Sequence, residues 1–285
     1  MKSMAYNPHM ILLIGKHGML SRAIQDQLQD ENLVIVDSDL ARKWSKQNST
    51  FEILEFMKSL QKLPKLIINS AGQTNPNSRP DLLLAANFYL PKNLFQFAET
   101  VGIKLITFGT IFENIEELGT SNEYLKSKYK FYEYIQDKVN IQSQMLHIQA
   151  HTWYGGHSLH DHMFLGQAFN AIRRGITFEM TSGKQLREFH HIEDDMNAFE
   201  LLLNQNISGV FQLNHGFPVT LQTLAESLFN HFGLSEKLKL GYLPTPNVEN
   251  SKITFEASRL LSDVRFRDAI PGVSLYFRLL LNEVQ

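Results

Sequence analysis

The run Met10-Ile11-Leu12-Leu13-Ile14 stops at a glycine-bearing turn, Gly15-Lys16-His17-Gly18-Met19-Leu20-Ser21. Five apolar residues closed so abruptly read as a short buried strand. Leu20, Ala23, Ile24 and Leu28 then recur at helical spacing, and Leu33-Val34-Ile35-Val36 forms a second strand ended by Asp37. This is a βαβ unit, and the pattern continues. Phe51, Leu54, Phe56, Met57 and Leu60 mark a helix, Leu66 to Ile68 a strand, Leu82 to Glu99 a long helix, and Lys104 to Thr107 a strand. A further helix carries Tyr124, and Met145 to Ile148 forms one more strand. Short strands alternating with such helices predict a parallel sheet covered on both faces. The expected fold class is therefore α/β, a Rossmann doubly wound parallel sheet with a smaller α+β lobe.

The sheet domain is expected over residues 1–156 and the lobe over 157–285, with segments near 187–214 returning to the sheet. After Gly155-Gly156 the pattern loosens: a helix from about Phe164 to Arg174, a strand near Gly209 to Leu213, and a helix opening at Thr220. No linker or internal repeat separates the two parts, so the lobe is expected to be interwoven with the sheet domain. Ligands of open α/β sheets bind at the carboxyl ends of the strands, where the lobe would roof the site.

Composition removes other classes. The formal charge of -2 gives no basic footprint for nucleic acid, and the absence of cysteine excludes disulfides, thiolate metal sites and thiol nucleophiles. No apolar run approaches a membrane span, so neither membrane nor nucleic acid is an expected partner, and the cytoplasm is the expected compartment.

The glycine turn can hold a dinucleotide pyrophosphate. Gly15 permits the tight turn, Gly18 lets the backbone approach the phosphates, and Ser21 is small enough for close packing of helix on strand. The expected cofactor-binding residues there are Gly15, His17, Gly18, Met19 and Leu20. Asp37, 22 residues beyond Gly15, is placed to accept hydrogen bonds from the adenosine ribose. That favours NAD, while Arg42 and Lys43 leave room for the 2′-phosphate of NADP. Downstream, Tyr124 precedes Lys128 by one helical turn, a spacing at which an ammonium can lower the pKa of a phenol.

In these segments the sequence resembles the extended short-chain dehydrogenase/reductase family, and within it the nucleotide-sugar reductases. Ile11 to Gly18 carries the resemblance first, and Ile68-Asn69-Ser70-Ala71-Gly72-Gln73-Thr74 is similar to the family's Asn-Ala-Ala segment under the cofactor. Asn87 matches in the next helix, and Tyr124 with Lys128 matches the Tyr-x-x-x-Lys pair. Thr152-Trp153-Tyr154-Gly155 and Arg187-Glu188-Phe189-His190-His191-Ile192-Glu193-Asp194 follow in family order. The resemblance implies that Tyr124 exchanges a proton with a sugar oxygen while Lys128 holds the nicotinamide ribose and depresses the phenol pKa. It adds Asn69, Ser70, Ala71 and Gly72 to the cofactor site and implies substrate contacts from Gln73, Thr152, Tyr154 and Arg187. Arg187 is the candidate for the substrate diphosphate. It also implies a homodimer packed through the Tyr124 helix and the helix ending near Glu99.

Two positions depart from the family pattern. Phe108 stands where the family places a catalytic serine or threonine, so Thr107 or Thr110 must substitute, and strand alternation favours Thr110. Gly109 and Thr110 occupy the positions where related dehydratases carry an acidic pair, which argues against removal of water. Gln149 replaces a family arginine. The histidines His157, His160 and His162, with His151, His190 and His191, match none of the usual zinc spacings, and no metal is expected. The expected activity is an NAD- or NADP-dependent oxidoreductase on a nucleotide-linked sugar, most readily a 4-keto-sugar reductase. A nucleotide-sugar epimerase and a non-catalytic dinucleotide sensor or scaffold remain as alternatives.

Overall fold

The computed structural model describes residues 10–283 apart from 30, 61, 116–121, 141, 157–158 and 245–252. In chain order its first elements are β1 Ile11–Ile14, α1 Met19–Gln27, β2 Leu33–Val36, α2 Ser38–Trp44, α3 Thr50–Ser59, β3 Leu66–Asn69, α4 Pro80–Leu84, α5 Leu90–Val101, β4 Lys104–Thr110, α6 Glu123–Ile135 and β5 Met145–Ala150. They continue with β6 Thr152–Tyr154, α7 Phe164–Arg174, β7 Phe178–Glu179, β8 Leu186–Arg187, β9 Phe189–His191, α8 Ile192–Asn204, β10 Gly209–Gln212, β11 Val219–Thr220, α9 Leu221–His231, β12 Leu238–Lys239 and α10 Ala269–Glu283. The chain forms two compact units, Met1–Ala150 with Leu202–Gln212, and His151–Leu201 with Leu213–Gln285.

Unit 1 holds a six-stranded sheet in the order β10-β5-β4-β3-β1-β2, every pair parallel. The strand sequences explain their places. β1, β3 and β5 are buried at every residue, as strands covered on both faces must be, whereas the edge strand β2 leaves Ile35 exposed. Because β1 lies between β2 and β3, the chain reverses its direction of winding there. The carboxyl end of β1, which is the glycine turn, therefore opens at the switch point where such sheets bind ligands. Trp44, Ile53, Met57, Phe95, Phe97, Phe131 and Ile135 pack the helices onto the sheet. Phe131 is core, and Tyr134 packs edge-on against Phe88 and Phe95 with Lys92 and Lys138 over its ring.

Two features of unit 1 go beyond the sequence reading. The long helix expected from Leu82 to Glu99 is broken at Ala85–Tyr89 by one π-helical turn centred on Asn87, and α2 is an additional short helix capped by Asp37. Unit 2 is α+β, with short strand pairs β6·β9, β7·β12 and β8·β11 around a core of Tyr154, Phe169, Phe178, Phe189, Phe229 and Phe277. Its last helix, α10, has no counterpart in the sequence reading, because apolar residues all along Leu275 to Leu281 blur the helical period.

Gly15 and Gly102 both lie at positive φ, +108° and +70°, but differ in surroundings. A Cβ on Gly102 would meet nothing within 4 Å, whereas one on Gly15 would lie 2.8 Å from the hydroxyls of both Ser21 and Ser70. Gly102→Ala should therefore cost only the left-handed backbone penalty, about 1 kcal/mol, and Gly15→Ala clearly more. Equal shifts in urea midpoint for the two variants would contradict this packing.

Candidate active site

At the carboxyl end of β1 the backbone turns at Gly15, whose N–H donates to the Val36 carbonyl. Ser21, buried in the first turns of α1, shares a 2.8 Å hydrogen bond with Ser70, and Ser70 in turn donates to the Ile14 carbonyl. The serine in the third fingerprint position thus ties α1 to the end of β3 as well as fitting there. Gly18 is the N-cap of α1 and has no side-chain capping bond, so no side chain satisfies the amides of that terminus. His17 and Gly18 are exposed, Met19 is partly covered and Leu20 is buried. Asn69 is buried at the end of β3, and its Oδ1 has no hydrogen-bond partner. A turn with glycine at both ends, an N-terminus of α1 without a side-chain cap and an orphaned buried acceptor all fit a bound dinucleotide.

Asp37 ends β2 as expected, but the structure gives it a further task. Its Oδ1 accepts from the amides of Asp39 and Leu40, capping α2. Arg42 pairs with Asp39 on the exposed face of that helix.

The loop after β3 reaches the Tyr124 helix through Asn87. The Asn87 Oδ1 accepts from the Gln73 amide at 2.9 Å, and its Nδ2 donates to the Gln73 carbonyl at 2.8 Å and to Ser127 Oγ at 2.9 Å. Ser127 donates onward to the Tyr124 carbonyl. Gly72 lies within this arrangement: a Cβ there would stand 3.2 Å from Asn87 Oδ1 and 3.8 Å from Lys128 Nζ. Asn122 caps α6 by accepting from the Leu125 amide, which starts the helix at Glu123, one residue before Tyr124. The Lys128 ammonium donates to the carbonyl of Phe108 at 3.0 Å, linking α6 to β4. Asn69 to Gln73, Tyr124 and Lys128 are thereby brought to one end of one sheet.

The sequence reading gave Tyr124 a lowered pKa, and this is corrected. Burial pushes the phenol up, and the negative charge of Glu113 pushes it further, while burial pulls Lys128 down against the opposing pull of Glu113. Tyr124 therefore stands as a proton donor. Thr110 ends β4 largely buried, its amide donating to Glu113 Oε2 and its hydroxyl accepting from the Phe112 amide. Thr107 faces the other way and bonds His147 Nδ1 at 2.6 Å.

Sequence reasoning missed Glu113. It is 1% exposed and shares 2.6 Å with His147 Nε2, with a further bond from Gln149 Nε2. The available signal was an acid just after the apolar Ile111-Phe112 and a histidine inside the apolar run of β5.

Unit 2 holds the remaining expected residues. Thr152 is partly exposed, and Arg187 Nη1 donates to the Leu186 carbonyl, with burial lowering the guanidinium to about 10. Tyr154 is placed otherwise than expected for a substrate contact. Its ring is wholly buried in the unit 2 core against His191 and Tyr276, because β6 turns this residue inward, and burial raises its phenol to about 12. His157 lies outside the described residues, and the rings of His160 and His162 stack on each other.

Among the described residues, one group could hold a metal: His151, Glu188 and His190, all buried. The geometry favours a proton instead. His190 bonds Asp195 through Nδ1 at 2.6 Å and Glu188 through Nε2 at 2.9 Å, so an imidazolium bridges two carboxylates. Its ring stacks on those of His151 and His215 at centroid distances of 5.0 and 4.4 Å. Burial works against the charge on His190, but Asp195 and Glu188 outweigh it and raise the group to about 9. Burial and the His190 charge lower His151 to about 4. Burial would raise Glu188, but the histidines bring it to about 2.

The sequence matches the model of the NAD dependent epimerase/dehydratase family over residues 11–213. With its doubly wound sheet and glycine turn, the chain belongs to that family. No curated protein matches it significantly. Among solved structures it is similar to dTDP-4-dehydrorhamnose reductase from Bacillus anthracis in complex with NADP, at 14% identity over 95% of this chain and 99% of that one, TM-score 0.68. UDP-N-acetylglucosamine 4-epimerase from Bacillus cereus gives 15% identity over 97% and 98%, TM-score 0.70. dTDP-glucose 4,6-dehydratase from Bacillus anthracis in complex with NAD gives 14% over 97% of each chain, TM-score 0.72.

The His190 bridge gives stability a defined pH dependence. A histidine raised from 6.5 to about 9 on folding contributes fully below pH 6.5 and loses that contribution as pH rises through 9. His151, neutral when folded, contributes above pH 6.5 and loses its share as pH falls toward 4. His190→Gln should cost about 3–5 kcal/mol at neutral pH by leaving two buried carboxylates without their shared cation, and should flatten the decline between pH 7 and 9. Urea unfolding at several pH values checks both, and an unchanged alkaline decline in the variant would refute the assignment.

Proposed function

We propose that this protein is an NAD- or NADP-dependent reductase of a 4-keto group on a nucleotide-linked sugar. The observation that carries the reading is the gathering of the glycine turn, the Asn69 to Gln73 segment, Tyr124 and Lys128 at one end of the parallel sheet, where a dinucleotide fits. Reduction of a ketone needs a proton delivered to the carbonyl oxygen as hydride reaches the carbon, and a phenol held protonated by its surroundings starts in the required form. An epimerase would use the same Tyr124 and Lys128 but begin by withdrawing a proton from a hydroxyl and keep its cofactor between half-reactions. The likeness to solved structures extends to a reductase and an epimerase alike, and the epimerase stands as the second reading.

When bound, the reduced nicotinamide supplies hydride. Gly15, His17, Gly18, Met19 and Leu20 would line its pyrophosphate, Asp37 its adenosine ribose, and Asn69, Ser70, Ala71 and Gly72 the path toward the nicotinamide. Tyr124 donates the proton, and the Lys128 ammonium, fixed by the Phe108 carbonyl, orients the ribose and stabilises the phenolate left behind. Thr110 is the hydroxyl proposed to share the sugar oxygen. Gln73, Thr152 and Arg187 are the proposed substrate contacts, with Arg187 on the diphosphate. A homodimer through α5 and α6 belongs to the same reading. No helix of the described residues is long and apolar enough to cross a membrane, which is compatible with the expected cytoplasmic setting.

Incubation with a 4-keto nucleotide sugar should oxidise one NAD(P)H for each sugar reduced, followed by absorbance beside product analysis. Interconversion of two nucleotide sugars without net cofactor oxidation would replace the reductase by the epimerase. Tyr124→Phe should lower turnover by at least a hundredfold and change dinucleotide affinity only a few-fold, because the phenol's proton matters in the transition state. Since Asp37 also caps α2, its cofactor role is best tested by Asp37→Ser, which keeps a capping oxygen. That variant should weaken NADH more than NADPH in calorimetry, and equal losses would remove Asp37 from the ribose site.

A further inference from the structure

Glu113 is a buried acid that the proposed chemistry leaves unexplained. It follows β4 by three residues, and its carboxylate is surrounded by N–H donors: the Thr110 amide on Oε2, and His147 Nε2 and Gln149 Nε2 on Oε1. His147 can donate because its other nitrogen is met by the Thr107 hydroxyl. Three donors and no acceptor define the environment of an anion. Glycine at position 109 makes room for it, since a Cβ there would coincide with the Glu113 carboxyl group. The position that lacks a side chain of its own is filled by an acid from the following turn.

The charged and titratable groups that feel this carboxylate come from two elements. His147 bonds it from β5, and its negative charge acts on Tyr124, Lys128 and Tyr132, which share one face of α6 at i, i+4 and i+8. Lys128 is fastened to the Phe108 carbonyl one residue before Gly109. A carbonyl oxygen accepts one of its three protons but carries no net charge. An ammonium partly withdrawn from water is held in its charged form by an anion nearby.

We propose that Glu113 is the counter-anion of the Tyr124–Lys128 pair, a positioning residue that keeps the lysine as ammonium and the tyrosine as phenol. The proposal rests on the reading of that pair as the proton-handling site and adds the source of its electrostatic poise. Both effects have the same sign. Removing the negative charge lowers the pKa of Lys128 and of Tyr124 together, so each loses its proton at lower pH. Reduction requires both protonated, and its alkaline limb should therefore move down in pH.

The test compares the full chain with Glu113→Gln and Glu113→Asp. The direct readout is the titration of Lys128 by NMR in protein carrying 13C-ε-lysine, with Lys128→Met assigning the resonance. In Glu113→Gln the Lys128 midpoint should fall by about one pH unit, a tenfold loss of proton affinity, and Glu113→Asp should restore most of it. The alkaline limb of keto-sugar reduction should shift the same way. An unchanged Lys128 midpoint in Glu113→Gln would overturn the proposal, even if the variant were less stable. Should Glu113→Gln fail to fold, Gly109→Ala displaces the carboxylate by the methyl group alone and must lower the same midpoint. Because the NMR titration needs no substrate, a protein that reduces no keto sugar would refute the proposed function while Glu113 was still decided by the lysine signal.

Discussion

The carboxamide of Asn87 joins the loop at Gln73 to the helix that carries Tyr124. One side chain closes a pair of bonds with the backbone of Gln73 and gives a third bond to Ser127, which reaches the Tyr124 carbonyl. The loop after β3 and the helix α6 cannot slide past one another without breaking them. Asn87 sits on the single π-helical turn between α4 and α5, where the extra residue breaks the α-helical register of the long helix. An asparagine at 2% exposure in this position is costly unless fully bonded, so the same bonds that make it tolerable also define the site.

Buried charge is handled differently in the two units. In unit 1 the Glu113 carboxylate accepts from the Thr110 amide, His147 and Gln149, beside the strand residue whose carbonyl holds Lys128. In unit 2 the excess proton rests on His190 between Glu188 and Asp195. Glu188 also accepts from the amides of His215 and Gly216, and Asp195 accepts from Trp153 Nε1. The imidazolium thus joins the segments near 153, 188, 195 and 215 within that unit. Such a bridge is specific in direction, because each nitrogen faces one carboxylate, and an apolar replacement would leave those loops without a common partner.

The sheet was legible in the sequence because its inner strands are buried on both faces and therefore appear as unbroken apolar runs. Ile11 to Ile14 and Leu66 to Ile68 are examples, while the edge strand Leu33 to Val36 is apolar throughout although partly exposed. The glycine turn, Asn69 to Gln73 and the Tyr124–Lys128 spacing were legible for a related reason, since their chemistry is local in sequence. Three things were not. Tyr154 was read as a substrate contact, but a side chain's direction at the end of a three-residue strand depends on packing that periodicity does not encode. The pKa of Tyr124 is raised first by burial and then by Glu113, and both are tertiary facts. His190 was noticed as a histidine, yet its partners at 188 and 195 have meaning only once β9 turns into α8.

Every step of the account requires that the glycine turn of β1 receive a dinucleotide in the native protein. Calorimetric titration of NADH and NADPH into the full-length chain at neutral pH tests that requirement directly. The account predicts saturable binding of at least one of them, accompanied by a rise in melting temperature as a ligand of the native state demands. No heat and no stabilisation with either dinucleotide would contradict it, whatever the likeness of the fold.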